Sequence, residues 1–214
     1  MLEAFWPSQC AGCGTRHDGR LCRMCIPIGV HWVPLKQPET AGAMTLAGYD
    51  TPLGRALRTA KLRPDRALTW TVATHFGIEM ARALRGGRFT AIVPTPSTWR
   101  RRVQRGFSLP AILAAQLSAS TGLPVRPVLR ASSGTRQATL SSRARRDNLR
   151  GRIRSTGMIP GRVLLVDDVV TTGATSAACA RELLGGQTVE VWLLTVCAQR
   201  LRQRHRMSQV SQIL

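Results

Sequence analysis

Residues 162–175 read Arg-Val-Leu-Leu-Val-Asp-Asp-Val-Val-Thr-Thr-Gly-Ala-Thr, and this stretch decides the fold. A continuous apolar run feeds two adjacent acids, and a Thr/Gly-rich turn then opens directly into a helix, the two together read over residues 171–186. Unbroken apolar runs of strand length belong to strands covered on both faces, as in a parallel sheet flanked by helices. Ligands of such sheets bind beyond the carboxyl ends of the strands. A turn of this composition aims backbone N–H groups and hydroxyls at one spot, with the positive end of a helix dipole behind them. Thr171, Thr172, Ala174 and Thr175 surround Gly173, which keeps the backbone free of a Cβ where an anion must come close. A phosphate dianion suits that turn. Asp167 and Asp168 would repel it, so their place is on hydroxyls or on a divalent cation, and two vicinal ribose hydroxyls fit them. A phosphate turn beside a ribose-binding acid pair makes a ribose 5-phosphate site.

Outward from this stretch, strands and helices alternate. Residues 188–196 form a last strand, and residues 90–96 form a buried one stopped by Pro94 and Pro96. Residues 109–121 read as a helix, and residues 124–129 as a further strand. Upstream, residues 44–50 read as a short strand. Residues 51–62 and 67–85 carry apolar positions at helical spacing, the second closed by Gly86 and Gly87. Residues 131–154 read as irregular and arginine-rich. The predicted class is α/β, with a Rossmann-type parallel sheet flanked by helices. Cys179 and Cys197 read as small core residues, and Trp6, Trp32, Trp70 and Trp192 as packing residues. No partner is evident for His75 or His205.

Cys10-Ala-Gly-Cys13 and Cys22-Arg-Met-Cys25 are two CxxC pairs within the first 25 residues. Each tight turn aims two thiolates at one ion, and two turns complete the tetrahedral set that zinc prefers. Gly12 and Gly14 suit such turns. Disulfides are the competing reading and are disfavoured by the expected compartment; a dithiol redox pair lacks its βαβ setting. His17 and His31 read as bystanders. With four sulfurs the ion has no open position, so its role is structural. Prolines 27, 34 and 38 mark an extended connection. The expected organisation is a zinc-knuckle lobe over 1–35, an α/β domain over 36–198 and a basic tail over 199–214.

The beginning, MLEAFWPSQC, has no signal-peptide pattern, which predicts a cytoplasmic protein. No window has the roughly 18 apolar residues of a span, so no membrane insertion is expected. Against 11 acids stand 31 lysines and arginines, a net charge of +20, and only Lys36 and Lys61 are lysines. Between Arg100 and Arg154 there are 13 arginines and one acid, Asp147. Two readings stay open: a composition biased toward arginine, and an anion-binding surface.

The segment VLLVDDVVTTGAT resembles the phosphoribosyl-pyrophosphate loop of type I phosphoribosyltransferases. The cysteine knuckle, Tyr49 followed by a helix ending in Lys61, VPTP at 93–96, Arg105-Gly-Phe107 and an arginine-rich loop with Gln137 and Asn148 together resemble the ComF family. That family comprises phosphoribosyltransferase-like proteins, competence factors of natural transformation and GntX-type proteins among them. The resemblance implies a type I phosphoribosyltransferase-like fold. It also implies phosphoribosyl binding by Thr171, Thr172, Gly173, Ala174 and Thr175, with Asp167 and Asp168 as the catalytic pair. Pyrophosphate would lie on the turn of Thr95, Pro96 and Ser97. Of the arginines that follow, Arg101 and Arg105 are the ones expected to fork onto its oxygens. Ser108 and Leu109 stand where the family usually has Asn-Gln, and Ile153 where it usually has an aromatic.

Two functions follow from the resemblance. As an enzyme, the protein would displace pyrophosphate from phosphoribosyl pyrophosphate with Mg2+, under a lid drawn from residues 131–149, toward an acceptor the sequence leaves open. As a binding protein, it would keep that site as a sensor or relic and act on single-stranded DNA beside the competence DNA-translocation machinery. A homodimer is compatible with either.

Overall fold

Leu164, Leu165 and Val166 are wholly buried because their strand is covered on both faces. The computed structural model describes residues 9–35, 38–62, 65–97, 106–132 and 152–199. Along these run β1 (His31–Trp32), β2 (Gly42–Gly48), α1 (Pro52–Leu62), α2 (Arg66–Ala83), β3 (Ala91–Pro94), α3 (Leu109–Thr121), β4 (Leu129–Ala131), β5 (Ile153–Ser155), β6 (Gly161–Val170), α4 (Ala174–Leu184) and β7 (Thr188–Ala198). The main sheet has the order β1-β2-β7-β6-β3. β2, β7, β6 and β3 are parallel, and β1 joins the edge antiparallel. Register sets Leu164 beside Trp192, Val166 beside Leu194 and Asp167 beside Thr195.

Strand alternation divides the interior into two cores. Met44, Leu46, Ile92, Leu164, Val166 and Leu194 face α1, α2 and α3, meeting Leu57, Phe76, Met80 and Leu113. Cys10, Leu21, Cys25 and Val30 of the N-terminal lobe pack into this same core. On the other face Val93, Val163, Leu165 and Leu193 meet Cys179 and Leu183 of α4. Full burial of each large aliphatic side chain contributes about 1.5–3 kcal/mol. Helices α2 and α3 cross in backbone contact: a Cβ on Gly77 would lie 2.6 Å from the Gln116 carbonyl oxygen. Asp65 caps α2 by accepting from the Leu68 N–H at 2.9 Å.

Three expectations change. The strand expected over 124–129 is displaced. Val125 makes only an isolated bridge to Ile92, and the regular strand starts at Leu129. Pro124 and Pro127 have no N–H to donate to a ladder. The stretch expected to be irregular contributes β5, which pairs antiparallel with β4 as a separate ribbon. Leu129 and Ile153 drive it, both buried in the second core while Arg130 and Arg154 point outward. The expected connection after the cysteines contains β1, whose Trp32 ring lies 5.6 Å from that of Trp192. Trp192 packs as expected; Trp70, at 60% exposure, does not. Cys179 and Cys197 are fully buried core residues as read, and burial raises both thiols, Cys197 to about 12. Trp6, His205, most of the expected lid and the tail beyond Gln199 lie outside the described residues.

Candidate functional site

Neighbouring residues of a strand point to opposite faces, so the two acids at the end of β6 part company. Asp167 points toward the α4 side, near Thr95 and Cys179. Asp168 points toward α1, where its Oδ1 lies 2.9 Å from Lys61 Nζ, with side-chain exposures of 16% and 17%. The Asp168 N–H donates to Asp167 Oδ1 at 2.8 Å. Burial, followed by the Asp168 charge, pushes the Asp167 carboxyl up to about 7, against the pull of that N–H and of Thr95.

Lys61, part of the family resemblance but given no role at the site by the sequence, lines the cleft. Helix α1 buries Leu53, Ala56, Leu57 and Ala60, and that packing delivers its last turn to the acid. The seat is tight: a Cβ on Gly54 would lie 2.2 Å from the Tyr49 carbonyl oxygen. Arg58 stacks 4.8 Å from the centre of the Tyr49 ring and donates to the Tyr49 carbonyl at 2.6 Å. Two signals were available beforehand: its place at the end of the helix after Tyr49 in the family resemblance, and its being one of two lysines among 31 basic side chains.

After Val170 the chain turns sharply. Gly173 has φ +75° and N-caps α4 without a side-chain cap, a conformation that favours glycine. The Ser176 hydroxyl donates to the Gly173 carbonyl at 2.8 Å, fixing the turn from within the helix. A cleft of about 380 Å³ opens here, and its walls include Tyr49, Lys61, Thr95, Asp167, Asp168 and Thr175. Pro96, Ser97 and Thr171 line the same cleft, whereas Thr172, Gly173 and Ala174 line an adjoining hollow of about 40 Å³ that also reaches Asp167. The structure therefore assembles around the acid pair the turn of residues 171–175 and the Thr95–Ser97 turn, two segments far apart in sequence. Ser108, where the resembling family usually has Asn, pairs its hydroxyl with that of Ser97 at 2.9 Å and ties this second turn to the start of α3. Arg101 and Arg105 lie outside the described residues.

At the N-terminal lobe, the sulfurs of Cys10, Cys13, Cys22 and Cys25 lie within 4.8 Å of one another. Gly12 serves by its size: a Cβ there would lie 2.9 Å from the Cβ and Sγ of Cys25. Gly14, at φ +80°, serves by its conformation. The N–H groups of Gly12 and Cys22 point at Cys10 Sγ at 3.4 and 3.3 Å, which favours the thiolate. The Thr15 hydroxyl does the same for Cys13, which is drawn down to about 6, while burial raises Cys25. Four sulfur donors with N–H support can hold a metal ion such as zinc. His17 and His31 are not part of the cluster. His75, for which no partner was evident, contacts the Pro27 carbonyl at 2.6 Å and helps fasten the lobe to α2.

No family model matches the chain. It is 31% identical over 201 residues to DNA utilization protein YhgH of Shigella flexneri, covering 86% of this chain and 88% of the relative. It is also 29% identical over 197 residues to competence protein F of Haemophilus influenzae, covering 86% and 82%. The chain belongs to the ComF family. Its fold is a mostly parallel sheet flanked by helices, with a four-cysteine cluster near the N-terminus. Solved structures similar to this ComF chain include adenine phosphoribosyltransferase from Saccharomyces cerevisiae (14% identity, TM-score 0.40, 78% of this chain and 84% of that one). Another is orotate phosphoribosyltransferase from Aeropyrum pernix (19%, TM-score 0.38, 70% and 68%). Among the described residues no helix is long and apolar enough to cross a membrane.

The raised Asp167 gives this ComF chain a measurable pH signature. A carboxyl whose affinity for a proton rises on folding, from an ordinary value of 3.8 to about 7, favours the folded state at low pH. That contribution is lost as pH rises through the folded value. Asp167→Asn, which mimics the protonated acid, should gain in thermal stability over the wild type as pH rises from about 4 to about 7, and keep that gain at about pH 8.5. A difference independent of pH would contradict the buried, proton-holding Asp167.

Proposed function

We propose that the cleft binds phosphoribosyl pyrophosphate with Mg2+, and that the protein is a type I phosphoribosyltransferase-like member of the ComF family acting in DNA uptake. One observation carries this reading: the acid pair at the end of β6 lines one cleft with Thr171 and Thr175 of the phosphate turn and with the Thr95–Ser97 turn. The N–H groups from Thr171 to Thr175 hold the 5-phosphate. Asp167 and Asp168 hold the ribose hydroxyls, directly or through the ion, and Thr95, Pro96 and Ser97 receive the pyrophosphate, with Arg101 and Arg105 as its charge partners. Tyr49 and Phe107 supply flat apolar walls. In the reaction, a nucleophile forms a bond to the anomeric carbon as the bond from that carbon to pyrophosphate breaks and pyrophosphate leaves. Mg2+, when bound, screens the diphosphate charge. The negative charge of the acid pair opposes the positive charge that develops on the ribose. A cytoplasmic location and work beside the DNA-translocation machinery accord with relatives named for competence and DNA utilization.

Phosphoribosyl pyrophosphate and Mg2+ together should raise the melting temperature. At a hundredfold excess over Kd the stabilisation is about 2.7 kcal/mol, and Asp167→Asn with Asp168→Asn should remove it. An unresponsive wild type would end this reading. For the lobe, we assign the four cysteines to structural zinc: purified protein should hold about one zinc per chain, lost on Cys10→Ser. Zinc-free protein with the lobe still folded would contradict it.

A second reading, binding of single-stranded DNA, is favoured by the β4–β5 ribbon. Arg130 and Arg154 stand directly opposite one another there, both exposed, which puts two positive charges side by side on one face of the ribbon. Affinity for a single strand should then fall steeply with salt, by about 0.7 in log–log slope per phosphate neutralised. Flat salt dependence would exclude it.

A further inference from the structure

We propose that Lys61 is a cation gate on Asp168: it keeps a free divalent cation out of the cleft and admits one only in company with a polyphosphate that takes over its ammonium. The inference rests on the reading of the cleft as a polyphosphate-sugar site. Nζ of Lys61 lies 2.9 Å from Asp168 Oδ1, and both side chains are more than four-fifths buried. The carboxylate is thus already neutralised by a charge of the chain's own, in surroundings where water screens little. A lone divalent ion approaching Asp168 must push aside a like charge and leave an ammonium without its anion. A polyphosphate removes that obstacle because it offers the ammonium a new partner while the ion takes the carboxylate. The exchange conserves charge at both positions.

The choice of lysine points the same way. Of the chain's 31 basic side chains 29 are arginine, yet the one paired with this acid is a lysine. A guanidinium would clamp the carboxylate through two parallel hydrogen bonds. An ammonium on a flexible four-carbon stem makes a single contact and can swing from one oxygen anion to another. The backbone beneath it is held still: α1 is seated by Gly54 on the Tyr49 carbonyl and by Arg58 on the Tyr49 ring. Only the side chain then has to move.

The gate is tested by Mn2+ binding to the full zinc-loaded chain, read by electron paramagnetic resonance with no phosphate present. Lys61→Met should bind Mn2+ at least tenfold more tightly than the wild type. Adding Asp168→Asn should return binding to the wild-type level, and Lys61→Arg should exclude the ion as the wild type does. Lys61→Gln serves the same purpose if the methionine variant does not fold. Failure of both neutral variants to gain Mn2+ affinity, in a chain whose wild type still responds to phosphoribosyl pyrophosphate with Mg2+, overturns the gate alone. A wild type that gives no such response overturns the reading of the cleft. Wild-type protein that binds Mn2+ as tightly as Lys61→Met also overturns the gate.

Discussion

Two carboxylates in succession at the end of a buried strand repel one another, and each loses hydration that bulk water would have supplied. The pleat of β6 resolves this by sending them to opposite faces. Asp168 meets Lys61 at 2.9 Å, while Asp167 is left among Thr95, Cys179 and the Asp168 N–H, with its carboxyl raised to about 7. One acid is paired with an ammonium and the other is held close to its proton. Everything that lines the cleft is arranged around that division.

On the Asp168 side, the partner comes from a helix whose position is set from beyond the sheet. Arg55 of α1 donates to the Gly12 carbonyl at 2.7 Å, Arg20 pairs with Asp65 before α2, and the Gly29 N–H donates to buried Glu79. The cysteine lobe is therefore fastened to α1, whose Lys61 lines the cleft, and to the neighbouring α2. A metal ion held by its four thiolates would stiffen α1 at a distance without entering the chemistry. On the Asp167 side, Gly173 and Ser176 fix the turn that opens α4. The ladder between β3 and β6 then carries the Thr95 N–H to the Val166 carbonyl at 2.8 Å, which sets the Thr95–Ser97 turn against the turn that opens α4.

Local pattern made much of this legible. The apolar run of β6, the Thr/Gly turn and the CxxC spacing each lie within a short window, and α3 begins and ends where its sequence says it should, closed by Gly122 in a left-handed conformation. What the sequence concealed is non-local. Lys61 and Asp168 are brought together only by the seating of α1 on the sheet. The ribbon of β4 and β5 has strands of three residues, too short for alternation to register, and its pairing spans the whole arginine-rich stretch. Gly12 shows a subtler gap: a tight turn was foreseen, but its reason is the closeness of Cys25 and not the backbone angle. Trp70 reads as a core residue by type alone, and nothing in its neighbourhood on α2 tells that it faces outward.

The central claim is that the end of β6 and the turn that follows it form one site for a phosphorylated ribose. A crystal structure of the chain with phosphoribosyl pyrophosphate and Mg2+ tests it most directly. The account predicts the 5-phosphate on the N–H groups of Thr171 to Thr175, the ribose hydroxyls toward Asp167 and Asp168, and the diphosphate at Thr95 to Ser97. A ligand seated elsewhere, or a turn that stays empty at saturating ligand, would contradict it.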